Sequence, residues 1–108
     1  MDPAEFRDAL LRRWPNAEVE EVTGTLRTAA LDLYVDVEGN RLDGTLSRDG
    51  LTVALEADVH ASARFALWFR SIVPHTQPLL FYDEGYTADV PLTTETTEEQ
   101  LTQPFLVH

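Results

Sequence analysis

The sequence predicts an α+β fold: a single α+β domain over residues 1–108 in the order α-β-β-β-α-β-β-α. Its antiparallel sheet is read as a three-strand meander plus a hairpin, packed on helices. Three observations carry this reading. Apolar and polar residues alternate through three successive segments of residues 31–58, the pattern of strands with one buried and one wet face. Gly39-Asn40 and Asp49-Gly50 separate those segments and suit two-residue hairpin loops. Apolar stripes of helical period stand at the N-terminus and again over residues 59–73.

The first helix is read at about 3–14. Asp2-Pro3-Ala4-Glu5 supplies an N-cap acid, a proline at the first helical position and a glutamate at the third. Phe6, Leu10 and Trp14 then follow at spacings of four, and Arg12 and Arg13 complement the last turn. Residues 17–30 carry two readings. Val19 and Val22 among Glu18, Glu20 and Glu21 make either a short edge strand or a loop, and the first meander strand starts between Leu26 and Leu31.

In the meander, Leu31, Leu33, Val35, Val37, Leu42, Gly44, Leu46, Leu51, Val53, Leu55 and Ala57 share one face. The other face carries Asp32, Tyr34, Asp36, Glu38, Arg41, Asp43, Thr45, Ser47, Thr52, Ala54, Glu56 and Asp58. Loop length fixes register. With Gly39-Asn40 as the loop, Glu38 faces Arg41 and Asp36 faces Asp43; across the next hairpin Asp43 faces Glu56. Like charges directly opposite destabilise a sheet, so the row Asp36–Asp43–Glu56 points to a compensating ligand.

The second helix is read from Val59 to Val73, ending before Pro74. Ala61, Phe65, Ala66, Trp68, Phe69, Ile72 and Val73 form its apolar arc, with His60, Arg64, Arg70 and Ser71 opposite. That arc is wider than one sheet covers, which makes Trp68 a candidate anchor of a homodimer interface. A hairpin follows, Leu-Leu-Phe-Tyr and Tyr-Thr-Ala-Asp-Val around an Asp83-Glu84-Gly85 loop, with Leu80 and Tyr82 sharing a face with Tyr86, Ala88 and Val90. Thr96-Thr97-Glu98-Glu99 reads as a capping box for a third helix that stops before Pro104.

Composition narrows the function classes. The formal net charge of −11 on 108 residues repels nucleic acid and anionic membranes and favours cationic ligands or basic protein surfaces. All the basic residues are arginine and lysine is absent, a codon signature of a high-GC bacterial genome. With no cysteine, disulfides, thiolate metal sites and cysteine nucleophiles are excluded. No apolar run matches a signal peptide or the ~20 residues of a membrane span, so the expectation is a soluble cytoplasmic protein.

Two candidate sites emerge. The row Asp36, Asp43, Glu56 reads as a solvated face, as a docking surface for a basic partner, or as oxygen ligands for a divalent cation. Tyr82, Asp83, Glu84 and Tyr86 at the hairpin tip read as turn chemistry or as a recognition loop, since tyrosine is an interface anchor. His60, His75 and His108 lack partners at metal-ligand spacing, and no serine sits in a nucleophile elbow. No catalytic residue, metal ligand or cofactor is assigned.

The element order, acidity and small size resemble the class I type III secretion chaperones and their YbjN-type relatives. That resemblance implies an acidic homodimer, paired through the second helix, that binds export-bound, unfolded segments of other proteins. The composition also resembles bacterial toxin immunity proteins, which implies capture of a basic toxin. Both lead to a non-catalytic, acidic protein-binding domain; a divalent-cation or small-ligand binding domain is the alternative.

Overall fold

A computed structural model describes residues 2–22, 29–48, 52–74, 76–82 and 89–106. It contains three helices and six strands: α1 (Pro3–Arg13), β1 (Glu18–Glu21), β2 (Ala29–Val37), β3 (Asn40–Ser47), β4 (Val53–Glu56), α2 (Val59–Ile72), β5 (Leu79–Tyr82), β6 (Asp89–Leu92) and α3 (Glu98–Leu106). The class is α+β with antiparallel sheets, as read from the sequence, with one strand more. The chain divides into two compact units, residues 1–58 and 59–108.

The first unit holds a four-stranded antiparallel sheet in the order β1-β2-β3-β4. Asp2 caps α1 by accepting the Ala4 N–H at 3.0 Å, and Phe6, Ala9 and Leu10 are its buried residues. Arg7 reaches Glu21 at the end of β1, which ties the helix to the edge strand. Of the two readings of residues 17–30, the edge strand is the one formed, pairing Glu18 with Tyr34 and Glu20 with Asp32. Of the face predicted to be inside, Leu31, Leu33, Val35, Val37, Leu42 and Leu46 are buried and Val53, Leu55 and Ala57 half-buried; Leu51 lies outside the described residues.

The β2–β3 register differs from the expected one. Asp36 faces Arg41, Tyr34 faces Asp43 and Val37 faces Asn40, so the loop is Glu38-Gly39 rather than Gly39-Asn40. Glu38 at φ 50° and Gly39 at φ 87° supply the two positive φ angles of a type I′ turn. The Asp36 carboxylate accepts the Gly39 N–H at 2.6 Å and fixes the turn there. A slip of two residues preserves both faces, so alternation alone does not separate the two registers. Glutamate is a poor occupant of a left-handed position and asparagine a good one. Glu38→Asn is expected to stabilise the protein by about 0.5–1 kcal/mol, read as a raised urea midpoint with an unchanged slope; a lowered midpoint would contradict the turn assignment.

The β3–β4 register is as expected: Asp43 faces Glu56 and Leu46 faces Val53. Its loop, Asp49-Gly50, lies outside the described residues.

The second unit packs α2, α3 and the β5–β6 hairpin around Ala63, Ala66, Leu92 and Leu101, with Leu67, Leu79, Phe81 and Val90 against them. Arg64 of α2 bonds Glu98 of α3, and the ring of Phe105 meets Phe81 edge-on at 5.5 Å. Three sequence expectations are corrected here. Leu80 faces Pro91 and Tyr82 faces Asp89, a register that differs from the one a three-residue Asp83-Glu84-Gly85 loop would set; that loop lies outside the described residues. The odd offset turns Val90 inward beside Phe81 rather than outward with Tyr82. The capping pair of α3 is Thr97 with Gln100, each accepting the other's backbone N–H, one residue later than expected. The helix also runs through Pro104, because a proline near a helix end forfeits a single intrahelical bond and Phe105 holds the last turn against Phe81.

Arg70 is the largest departure from the sequence reading. Rather than lying on a wet face, it is 4% exposed. Its guanidinium donates to the carbonyls of Gln77 at 2.8 Å, Leu92 at 3.3 Å and Val73 at 3.0 Å, and to that of Pro74.

Candidate functional site

Strand pairing assembles a polar face larger than the predicted row. Reading across the sheet, Glu18 of β1 faces Tyr34 of β2, Tyr34 faces Asp43 of β3, and Asp43 faces Glu56 of β4. The next row is Glu20, Asp32, Thr45 and Ala54. The same alternation that buries the leucines and valines on one side sets this acidic surface on the other.

Asp43 and Glu56 are therefore neighbours, as expected from the sequence. Asp36 is not beside Asp43: the two-residue slip places it against Arg41 and engages it in the turn. The unbroken row Asp36–Asp43–Glu56 is not formed, and Tyr34 occupies the position expected for Asp36.

Tyr34 is 37% exposed. The Arg41 guanidinium carbon lies 4.7 Å from the Tyr34 ring centroid, within cation–π range. Arg41 Nε also donates to Asp43 Oδ1 at 3.0 Å. That hydrogen bond, followed by the charge of Asp43, holds the Arg41 guanidinium above its ordinary pKa. Thr45 Oγ1 donates to Asp32 at 3.4 Å. Together these side chains line a hollow of about 350 Å³ between Asp32 and Glu56.

The arrangement is polar and open, with an aromatic ring among carboxylates, and it suits a cationic ligand. Among the described residues no three His, Asp or Glu side chains converge as metal ligands, and none of the described helices is long and apolar enough to cross a membrane. Sequence reasoning placed Tyr34 and Arg41 on this face but did not bring them together. The signal was the aromatic residue at the centre of an acidic face.

The hairpin candidates divide. Tyr82 is exposed at 46%, whereas Asp83, Glu84 and Tyr86 lie outside the described residues. Trp68 on α2 is half-buried and meets Phe65 edge-on at 5.3 Å. Comparison with protein-family models, with curated proteins and with solved structures finds no match to this chain.

Proposed function

We propose that this protein is a non-catalytic, cytoplasmic, acidic protein-binding domain that captures a basic partner on the polar face of its four-stranded sheet. The observation that carries the reading is the row Glu18–Tyr34–Asp43–Glu56 across all four strands. A protein of net charge −11 attracts cationic surfaces from a distance. An exposed tyrosine among carboxylates then gives an arriving guanidinium or ammonium both an aromatic face and a charged acceptor. Arg41 supports the reading, because a guanidinium already finds that pair of contacts here.

The immunity-type inhibitor and the secretion-chaperone-like adaptor are two forms of this function. They differ in partner: a basic toxin in one case, an export-bound, partly unfolded protein in the other. A neighbouring toxin gene favours the first and a neighbouring secreted substrate the second. The chaperone-like form includes a homodimer using Trp68, which light scattering over a concentration series tests directly.

The docking face is tested with immobilised poly-arginine as the probe. Surface charges act on association rate and its salt dependence, while anchors act on dissociation. Neutralising Glu18, Asp43 and Glu56 together is expected to slow association severalfold and flatten its salt dependence. Tyr34→Ala is expected to speed dissociation about tenfold, the equivalent of ~1.4 kcal/mol. Folded variants with unchanged rates would remove this face from the function.

A further inference from the structure

The two outer edges of the β5–β6 hairpin are chemically unequal. Leu80 faces Pro91, and proline has no N–H to donate. The strands are therefore joined through the flanking pairs, Leu79 with Leu92 and Phe81 with Val90, and the peptide groups of Leu80 and Pro91 turn outward. On the β6 edge, Pro91 offers no donor and its carbonyl accepts the Thr96 hydroxyl at 3.3 Å. The following turn is closed by the Thr93 N–H donating to Thr96 Oγ1 at 2.8 Å. Such an edge rejects a further strand.

On the β5 edge, the outward N–H and C=O of Leu80 have no hydrogen-bond partner among the described residues. The Leu80 side chain is 51% exposed beside Tyr82. Among the described residues the β6 edge is blocked at Pro91, whereas the β5 edge leaves the N–H and C=O of Leu80 unpaired.

We propose that the open edge of β5 receives an extended segment of another protein, with alternating apolar and cationic residues, as an added strand. This rests on the protein-binding reading above and names a second surface and its mode of recognition. Main-chain hydrogen bonds supply the affinity in strand addition, and alternate side chains supply the selectivity. The apolar residues of the segment lie beside Leu80 and Tyr82.

Charge identifies the occupant. After Arg70 the chain has no arginine or lysine but carries Asp83, Glu84, Asp89, Glu95, Glu98 and Glu99, and Asp89 is exposed opposite Tyr82. Of the two arginines in this unit, Arg64 bonds Glu98 and Arg70 is buried on carbonyls. A cationic segment complements the exposed Asp89 and the acidic excess of this half of the sequence, whereas a second copy of the chain brings the same negative charge.

The test is fluorescence anisotropy with a short labelled peptide of alternating arginine and valine, beside the same peptide methylated at every backbone nitrogen. Methylation keeps the charges and removes the donors. The unmodified peptide is expected to bind, and its methylated counterpart about tenfold more weakly or worse, the scale of one or two net hydrogen bonds. Leu80→Pro gives β5 the defect that Pro91 gives β6, and is expected to cause a similar loss while circular dichroism stays unchanged. Leu80→Thr keeps the N–H and is expected to retain binding.

Equal binding of both peptides to the wild-type protein overturns the proposal, and so does absence of binding. If Leu80→Pro fails to fold, the comparison of the two peptides still decides. Binding lost in Tyr34→Ala but retained in folded Leu80→Pro places the peptide on the four-stranded sheet. That result overturns strand addition and leaves the protein-binding reading standing.

Discussion

Replacing Arg70 by methionine is expected to lower stability by about 3 kcal/mol, a loss on the scale of breaking a buried hydrogen-bond network. The guanidinium gathers carbonyls from the C-terminal end of α2, from the following loop and from β6. The last carbonyls of a helix have no intrahelical donors, and they form the negative end of the helix dipole. Arg70 satisfies the carbonyl of Val73 just past the last helical residue, together with those of Pro74, Gln77 and Leu92, while its charge lies near that negative end. Methionine fills much of the volume but leaves the carbonyls without these donors. Lysine keeps the charge but not the planar fork, so Arg70→Lys should fall between. A melting temperature lower by on the order of 10–20 °C is the expected readout for Arg70→Met. Stability equal to wild type would mean that water replaces the guanidinium at no cost, and that the network is incidental.

The second large effect is expected at Gly44. A Cβ built there meets Leu33 Cδ1 at 2.9 Å, Leu33 Cγ at 3.1 Å and Leu55 Cδ2 at 3.3 Å. Leu33 is 1% exposed, so it has little room to yield. Gly44 is thus the small partner that lets leucines of β2 and β4 close over β3. Gly44→Val is expected to cost about 2–3 kcal/mol through overpacking, despite the better strand propensity of valine. Gly44→Ala should cost less, because relief of glycine's backbone entropy offsets part of the clash. Combining Gly44→Val with Leu33→Ala should recover part of the loss, a coupling expected for residues in contact. Strict additivity in that double-mutant cycle would show that the two side chains do not compete for the same space.

Most of the polar face was legible in the sequence, and its internal pairing was not. Alternation from Leu31 to Glu56 separates a buried side from a wet one regardless of register. Gly39 serves equally in a Gly39-Asn40 or a Glu38-Gly39 loop. The choice between them rests on the Asp36 carboxylate reaching the Gly39 N–H, a contact three residues apart that carries no periodic signature. That one hydrogen bond moves Tyr34 beside Asp43 and sets Arg41 over the ring.

The hairpin of the second unit failed for a related reason. Gly85 invited a short loop, while the pairing of Leu79 with Leu92 and Phe81 with Val90 answers to the packing of those residues on Ala63, Ala66 and Leu101. Capping of α3 moved by one residue because Thr96 is engaged in the preceding turn, leaving Thr97 to pair with Gln100.

By itself the sequence determined what depends on neighbours along the chain: the α+β class, the start of α1 at Asp2-Pro3 and the end of α2 before Pro74, the buried and wet faces of the meander, and the acidity of the surface. Tertiary structure alone decided which carboxylates stand together, that β1 extends the acidic face, and that Arg70 is inside. Arg70 follows Ala63, Ala66 and Leu67 at helical spacing, so it shares their stripe, yet charge argues for solvent. Burial is tolerated only because carbonyls from the helix end, the loop and β6 converge on it. A local pattern records the preference of each residue for water or for a core, whereas hydrogen bonds between distant segments decide where that preference is overruled.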